Sequence, residues 1–155
     1  MIDFVYNNLT FIAVCISVIA SIIAGAMGFF INQRRIKRKV TWDILVKFII
    51  EPTLSKADFV AHELCLKGET INFDEKDEDT NYNIRMMLSY YELIASAYAE
   101  NTIDRKTVDH FRSNSMREFY ILSREYINEM RDRLKRPSLY TEFENLSINY
   151  FNQKK

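Results

Sequence analysis

One run of residues limits what this chain can fold into more than any other. From Phe11 to Ile31 it reads FIAVCISVIASIIAGAMGFFI, without a single charged residue. At 1.5 Å of rise per residue, a helix of that length extends about 31 Å, which matches the ~30 Å hydrocarbon core of a bilayer. A helix satisfies its own backbone hydrogen bonds, so the segment is able to cross lipid without exposing polar groups. A soluble core helix is the competing reading, but the rest of the 155-residue chain is too short to wrap such a helix on every side. The run is also a poor cleavable leader. Its start, MIDFVYNN, carries an acid, whereas a leader places bases before the apolar stretch and a small-residue cleavage site after it.

Five bases follow within six positions: Arg34, Arg35, Lys37, Arg38 and Lys39. Each would cost about 2.5–3.5 kcal/mol at a bilayer centre, so they stay on the side where they are synthesised. The expected topology is single-pass, with residues 1–10 outside and the C-terminal part in the cytoplasm. The expected segments are a transmembrane helix over 11–31, a basic juxtamembrane collar over 32–40, and a cytoplasmic helical domain over 41–155. Near the surface the collar is expected to hold anionic lipid head groups, at about 1 kcal/mol per base. Net charge is zero and the cluster abuts a spanning helix, so no nucleic-acid partner is expected.

The same helix carries small residues in two columns, Ser17, Ser21, Gly25 and Ala20, Ala24, Gly28. Residues three and four apart share a helix face, and small side chains let two backbones approach closely in lipid. This face is expected to gather membrane helices into a homo-oligomer. Ile16, Ile19, Ile23 and Phe30 occupy the opposite, lipid-facing side.

Beyond the collar the chain has few glycines and prolines and reads as all-α, a small antiparallel helical bundle. Val40, Trp42, Ile44, Leu45, Phe48 and Ile49 have helical spacing, either continuing the membrane helix or restarting with Thr41 as cap; Pro52 ends the element. Ser55 is positioned to cap a short helix closed by Gly68, with Phe59, Val60, Leu64 and Leu66 as its apolar contacts. Five of the six residues from Asp74 to Asp79 are acidic. They lack the glycine and ligand spacing of a calcium loop, so the stretch is expected to be a solvated loop. Ile84, Met87, Leu88, Tyr91, Ile94, Ala95 and Tyr98 form one broad helix face. Glu92 lies at its edge and is expected to need a basic partner, as a structural ion pair. Asn101 and Thr102 make a turn, and Asp104 caps the next helix. Val108, Phe111, Ser115, Phe119, Leu122, Tyr126, Met130 and Leu134 then recur at threes and fours, as one long helix or two end to end. Ser138 is positioned to cap a last helix with Leu139, Phe143, Leu146 and Tyr150 on its apolar side.

The pieces LSYYELIASAY, TIDRKTVDHF and PSLYTEFENLSINYF resemble the bacterial domain-of-unknown-function family 4760. Thr41, Asp43 and Leu45 are similar to its Thr-x-Asp-Leu-Leu piece, Tyr90 to Ala95 to its Tyr-Tyr-Glu-Leu-Ile-Ala helix, and Pro137 to Phe143 to its terminal segment. The family pattern usually has glycine after the second piece, where this chain has SAYAENTID. The resemblance implies a membrane segment, a basic stretch and a bacterial inner-membrane setting, and it assigns no activity and no catalytic residues.

A search for chemistry finds no constellation. His62 and Cys65 share a helix face, but zinc needs four ligands and no second pair exists. His110 stands beside Asp109 on a helix, where neighbours point apart. No phosphate-binding glycine loop or nucleophile elbow is present, and Tyr90, Tyr91, Tyr98, Tyr120 and Tyr126 have the spacing of core aromatics. Two cysteines, Cys15 and Cys65, are too few for a disulfide framework and are expected to be free thiols. No metal, cofactor or catalysis is expected. The expected role is protein association at the membrane. The alternatives are a bilayer-perturbing effector, toxin-like or directed against phage, that clusters through its span, and an adaptor or sensor recruiting a cytoplasmic protein.

Overall fold

The computed structural model describes the backbone of residues 2–68, 70–72 and 77–152, and the side chains of 14, 16–47, 50–68, 70–72 and 77–149. Within them lie five helices and no strand: α1 (Ile2–Ile50), α2 (Pro52–Lys67), α3 (Glu78–Ala99), α4 (Arg105–Leu134) and α5 (Thr141–Asn152). The fold class is all-α. The chain divides into two compact units, residues 1–37 and 38–155.

The first unit is the N-terminal part of α1. In the second, the last turns of α1 join α2 to α5 around one core. α2 packs on α3 and α4, and α5 packs on α3 and α4. Tyr91 is at the centre. Its ring stacks on Phe143 at 5.3 Å between centroids and meets Phe119 edge-on at 5.8 Å, so one residue of α3 ties α4 and α5 together. Ile84, Met87, Leu88, Ile94, Met116 and Ile127 close the core around these rings.

The helix boundaries correct several expectations. Of the two readings left open at Thr41, continuation holds, because α1 runs on to Ile50. Glu51 is then a single residue of extended backbone, and Pro52 opens α2 at the position where a proline's missing N–H costs nothing. Ser55 therefore lies inside α2. Gly68 does close it, in the left-handed conformation at φ 67°. The buried face of α2 is Leu54, Ala57, Ala61 and Leu64, whereas Phe59 and Leu66 are exposed. The acidic stretch is partly helical: Asp77 caps α3 by accepting from the Thr80 N–H at 2.8 Å, and Glu78 and Asp79 occupy the first turn, where the helix dipole favours negative charge. The loop reading of Asp74 to Lys76 lies outside the described residues, as do the side chains of Cys15, Phe48, Ile49 and Tyr150.

α3 ends in a Schellman arrangement. Thr102 N–H reaches Ala97 O at 3.0 Å, Asn101 N–H reaches Tyr98 O at 3.1 Å, and Asn101 takes the left-handed position at φ 56°. Asparagine tolerates that conformation, which makes it the substitute for the usual glycine. α4 is one helix of 30 residues. It buries Met116, Ser123 and Ile127 besides the expected Val108, Phe119, Tyr120, Tyr126 and Met130, and leaves Phe111 and Leu134 exposed.

Candidate functional site

The helix over Ile16–Lys47 is long and apolar enough to cross a membrane, and its most apolar stretch has no buried residue. Ile16, Ile19, Ile23 and Phe30 are all more than half exposed. Ser17, Ala20, Ser21, Ala24, Gly25 and Gly28 are exposed as well. A Cβ added at Gly25 or Gly28 would meet nothing within 4 Å, so no packing among the described residues requires glycine there. The Ser21 hydroxyl donates to Ser17 O at 2.9 Å, so the helix itself satisfies this donor.

Of the collar, Arg34, Arg35, Arg38 and Lys39 are exposed and Lys37 is half-buried. Arg38 belongs to the second unit, where its Nε lies 3.4 Å from Asp104 Oδ2 with the side chain 70% exposed. That pair is long and solvated, so it contributes little by itself. Thr41 does more. It is 1% exposed, and its Oγ1 accepts from the Asp104 N–H at 2.8 Å. Asp104 is the first residue before α4, and its carboxylate accepts from the Thr107 hydroxyl at 2.8 Å. Tyr90 donates its hydroxyl to Ile44 O at 2.6 Å, and Leu45 is buried in the core. Residues 38–45 of α1 are therefore bolted to the start of α4 and the middle of α3. Sequence periodicity marked Thr41 only as a possible cap; its burial leaves no periodic signal that separates the two roles.

Glu92 does find a partner, though not a basic side chain. Its carboxylate accepts from the backbone N–H of Phe143 at 2.7 Å and of Glu142 at 3.3 Å. These are free amides in the first turn of α5, so Glu92 supplies from α3 the cap that α5 lacks in its own sequence. Ser138 does not fill that role. It lies three residues before the helix, and Tyr140, next to the helix start, is at φ 59°. The charged network of this region is elsewhere: Arg131 Nη2 donates to Glu144 Oε2 at 2.8 Å and Tyr120 donates to Glu144 Oε1 at 2.7 Å. Burial pushes the Glu144 carboxyl up, but the bonds from Tyr120 and Arg131 and the Arg131 charge outweigh it and hold the group below its ordinary value.

A cavity of about 100 Å³ opens between α2, α3 and α4, lined by Asp58, His62, Cys65, Arg112, Ser115 and Glu118 over a floor of Tyr91 and Phe119. Neither Glu92 nor His110 lines it. Among the described residues no three His, Cys, Asp or Glu side chains are placed to hold a metal. Burial, then the Glu118 charge, pushes the Cys65 thiol up to about 11, so it is protonated and a poor nucleophile at neutral pH. The Tyr91 hydroxyl is likewise driven above its ordinary value by burial. The cavity has room for about three waters. His110 is exposed and packs edge-on against Phe111 at 4.8 Å.

A family model described as a domain of unknown function (DUF4760) matches residues 12–150. No curated protein and no solved structure matches the chain.

Proposed function

The chain belongs to the DUF4760 family, a membership that carries no activity, and we propose on physical grounds that it is a single-pass membrane anchor whose helical bundle acts by association, without catalysis. The observation that carries this reading is the solvent-facing apolar surface of α1. Large apolar side chains from Ile16 to Ile31 are at least half exposed. A surface of that extent in a protein marks contact with lipid or with another chain. The collar sets the orientation, with the bundle in the cytoplasm of a bacterial cell and Arg34 to Lys39 against anionic head groups of the inner membrane. The open small-residue face from Ser17 to Gly28 gathers copies of the span.

Two measurements test the two halves. Alkaline carbonate washing should leave the chain with the membrane pellet; its release into the supernatant overturns the anchor. Crosslinking of the full chain in membranes should give a homo-oligomer, and Gly25→Leu with Gly28→Leu should reduce it at least tenfold. An oligomer untouched by both substitutions overturns the association face.

A further inference from the structure

We propose that the cavity between α2, α3 and α4 is a binding site for a small zwitterion, a free α-amino acid of about the size of glycine. The floor of the cavity points to a ligand. Tyr91 is 2% exposed, and its hydroxyl has no hydrogen-bond partner among the described residues. The buried Tyr90, Tyr120 and Tyr126 hydroxyls, by contrast, each donate to a carbonyl or carboxylate oxygen. The Tyr91 hydroxyl faces the cavity: the Arg112 and Asp58 charges and the Cys65 thiol, all in the cavity wall, act on it. A buried hydroxyl without a partner is costly, so the fold keeps a place here for a polar guest.

Charge in the wall selects that guest. Arg112 Nη1 and Asp58 Oδ1 stand 3.6 Å apart, beyond hydrogen-bond reach, with their side chains 19% and 39% exposed. Glu118 adds a second carboxylate. Ser115 adds a hydroxyl that also has no partner among the described residues. A lone anion meets Arg112 but is repelled by two carboxylates. A lone cation meets the carboxylates but is repelled by Arg112. A molecule that carries both charges gives each wall its complement. Its carboxylate accepts from the guanidinium, which has donors to spare beyond a single ion pair, and from the Tyr91 and Ser115 hydroxyls. Its ammonium donates to Asp58 and Glu118. Room sets the size. The cavity holds about 100 Å³, and glycine takes up roughly the space of two or three waters at about 30 Å³ each. Sites for drug-sized ligands run to about 300–1,000 Å³, so a larger guest does not fit inside. The aromatic floor of Tyr91 and Phe119 receives the carbon between the two charges.

Titration calorimetry of the full chain in a non-ionic detergent tests the site, with glycine, acetate and methylammonium as probes. The expected result is one saturable glycine site per chain, with acetate and methylammonium each binding at least tenfold more weakly. Tyr91→Phe keeps the ring against Phe119 and Phe143 and deletes only the hydroxyl. It should weaken glycine binding at least tenfold and leave Tm at or above that of wild type, because no hydrogen bond among the described residues is lost. Wild type that takes up no glycine below about 10 mM overturns the site and leaves the cavity to water. Acetate or methylammonium binding as tightly as glycine overturns the zwitterion. A Tyr91→Phe chain that binds glycine like wild type overturns the role of the floor and the proposal with it. Should that chain fail to fold, Arg112→Gln decides: unchanged glycine binding overturns the proposal, and at least a tenfold loss supports it.

Discussion

Replacing Glu92 removes the cap of α5 from another helix. Glu92→Ala deletes a charge-assisted bond of 2.7 Å to Phe143 N–H and a weaker one of 3.3 Å to Glu142 N–H. A hydrogen bond to a charged group is worth about 1.5–3 kcal/mol, and the longer bond adds little. Favourable placement of the carboxylate on the helix dipole contributes about 0.5–1 kcal/mol. The loss is therefore about 2–4 kcal/mol. Glu92→Gln keeps an acceptor and gives up the charge, so it should cost about 1 kcal/mol. For a unit of about 120 residues, 1 kcal/mol shifts Tm by about 4 °C, which gives falls of about 8–16 °C for alanine and about 4 °C for glutamine. The assay is thermal unfolding of the full chain in detergent, followed by circular dichroism. Amide hydrogen exchange supplies a local reading, in which protection of Phe143 and Glu142 should fall before that of α3. An alanine variant within 2 °C of wild type, or α5 amides no less protected, refutes the cap. A glutamine variant as damaged as alanine would show that charge alone is at work and that the acceptor geometry contributes nothing.

Two further outcomes concern protons. Glu144 is held below its ordinary value in the fold, so the stability it confers is complete above the unfolded carboxyl value near 4.5 and is lost as pH falls through the lower folded value. Denaturant midpoints measured from pH 6 to pH 3 should fall, and Arg131→Met should flatten that acid limb by removing the main partner. Cys65, with its thiol raised to about 11, should react with iodoacetamide at pH 8 at least tenfold more slowly than a free cysteine and should recover an ordinary rate once the bundle is unfolded in urea.

Periodicity made α3 legible because its buried positions from Ile84 to Ile94 are all large or aromatic and recur at helical spacing. α2 was harder to read for a physical reason. It approaches its neighbours through Ala57 and Ala61, and alanine carries almost no hydrophobic signal, so the eye goes to Phe59 and Leu66, which face outward. Pro52 is equally ambiguous in sequence: it terminates one helix and is the preferred first residue of the next. α4 packs on both α2 and α5, so its buried face is wider than one stripe, and Met116, Tyr120, Ser123 and Ile127 fall outside the single row of threes and fours. The partner of Glu92 was illegible in principle. Any helix start presents the same bare amides whatever its side chains, and only the fold decides which one arrives. The edge position of Glu92, by contrast, was visible, and so was its demand for compensation.

The distance in sequence between that carboxylate and its amide also sets a clock. Phe143 is synthesised 51 residues after Glu92, which at 5–20 residues per second is some 3–10 s of translation. During that interval the flat face of Tyr91 that Phe143 will cover is bare. The nascent chain therefore carries an oily window on α3, and whatever shields newborn chains has those few seconds in which to occupy it. A twelve-residue helix is too short to hold its shape alone, so the window shuts only when docking and capping occur together.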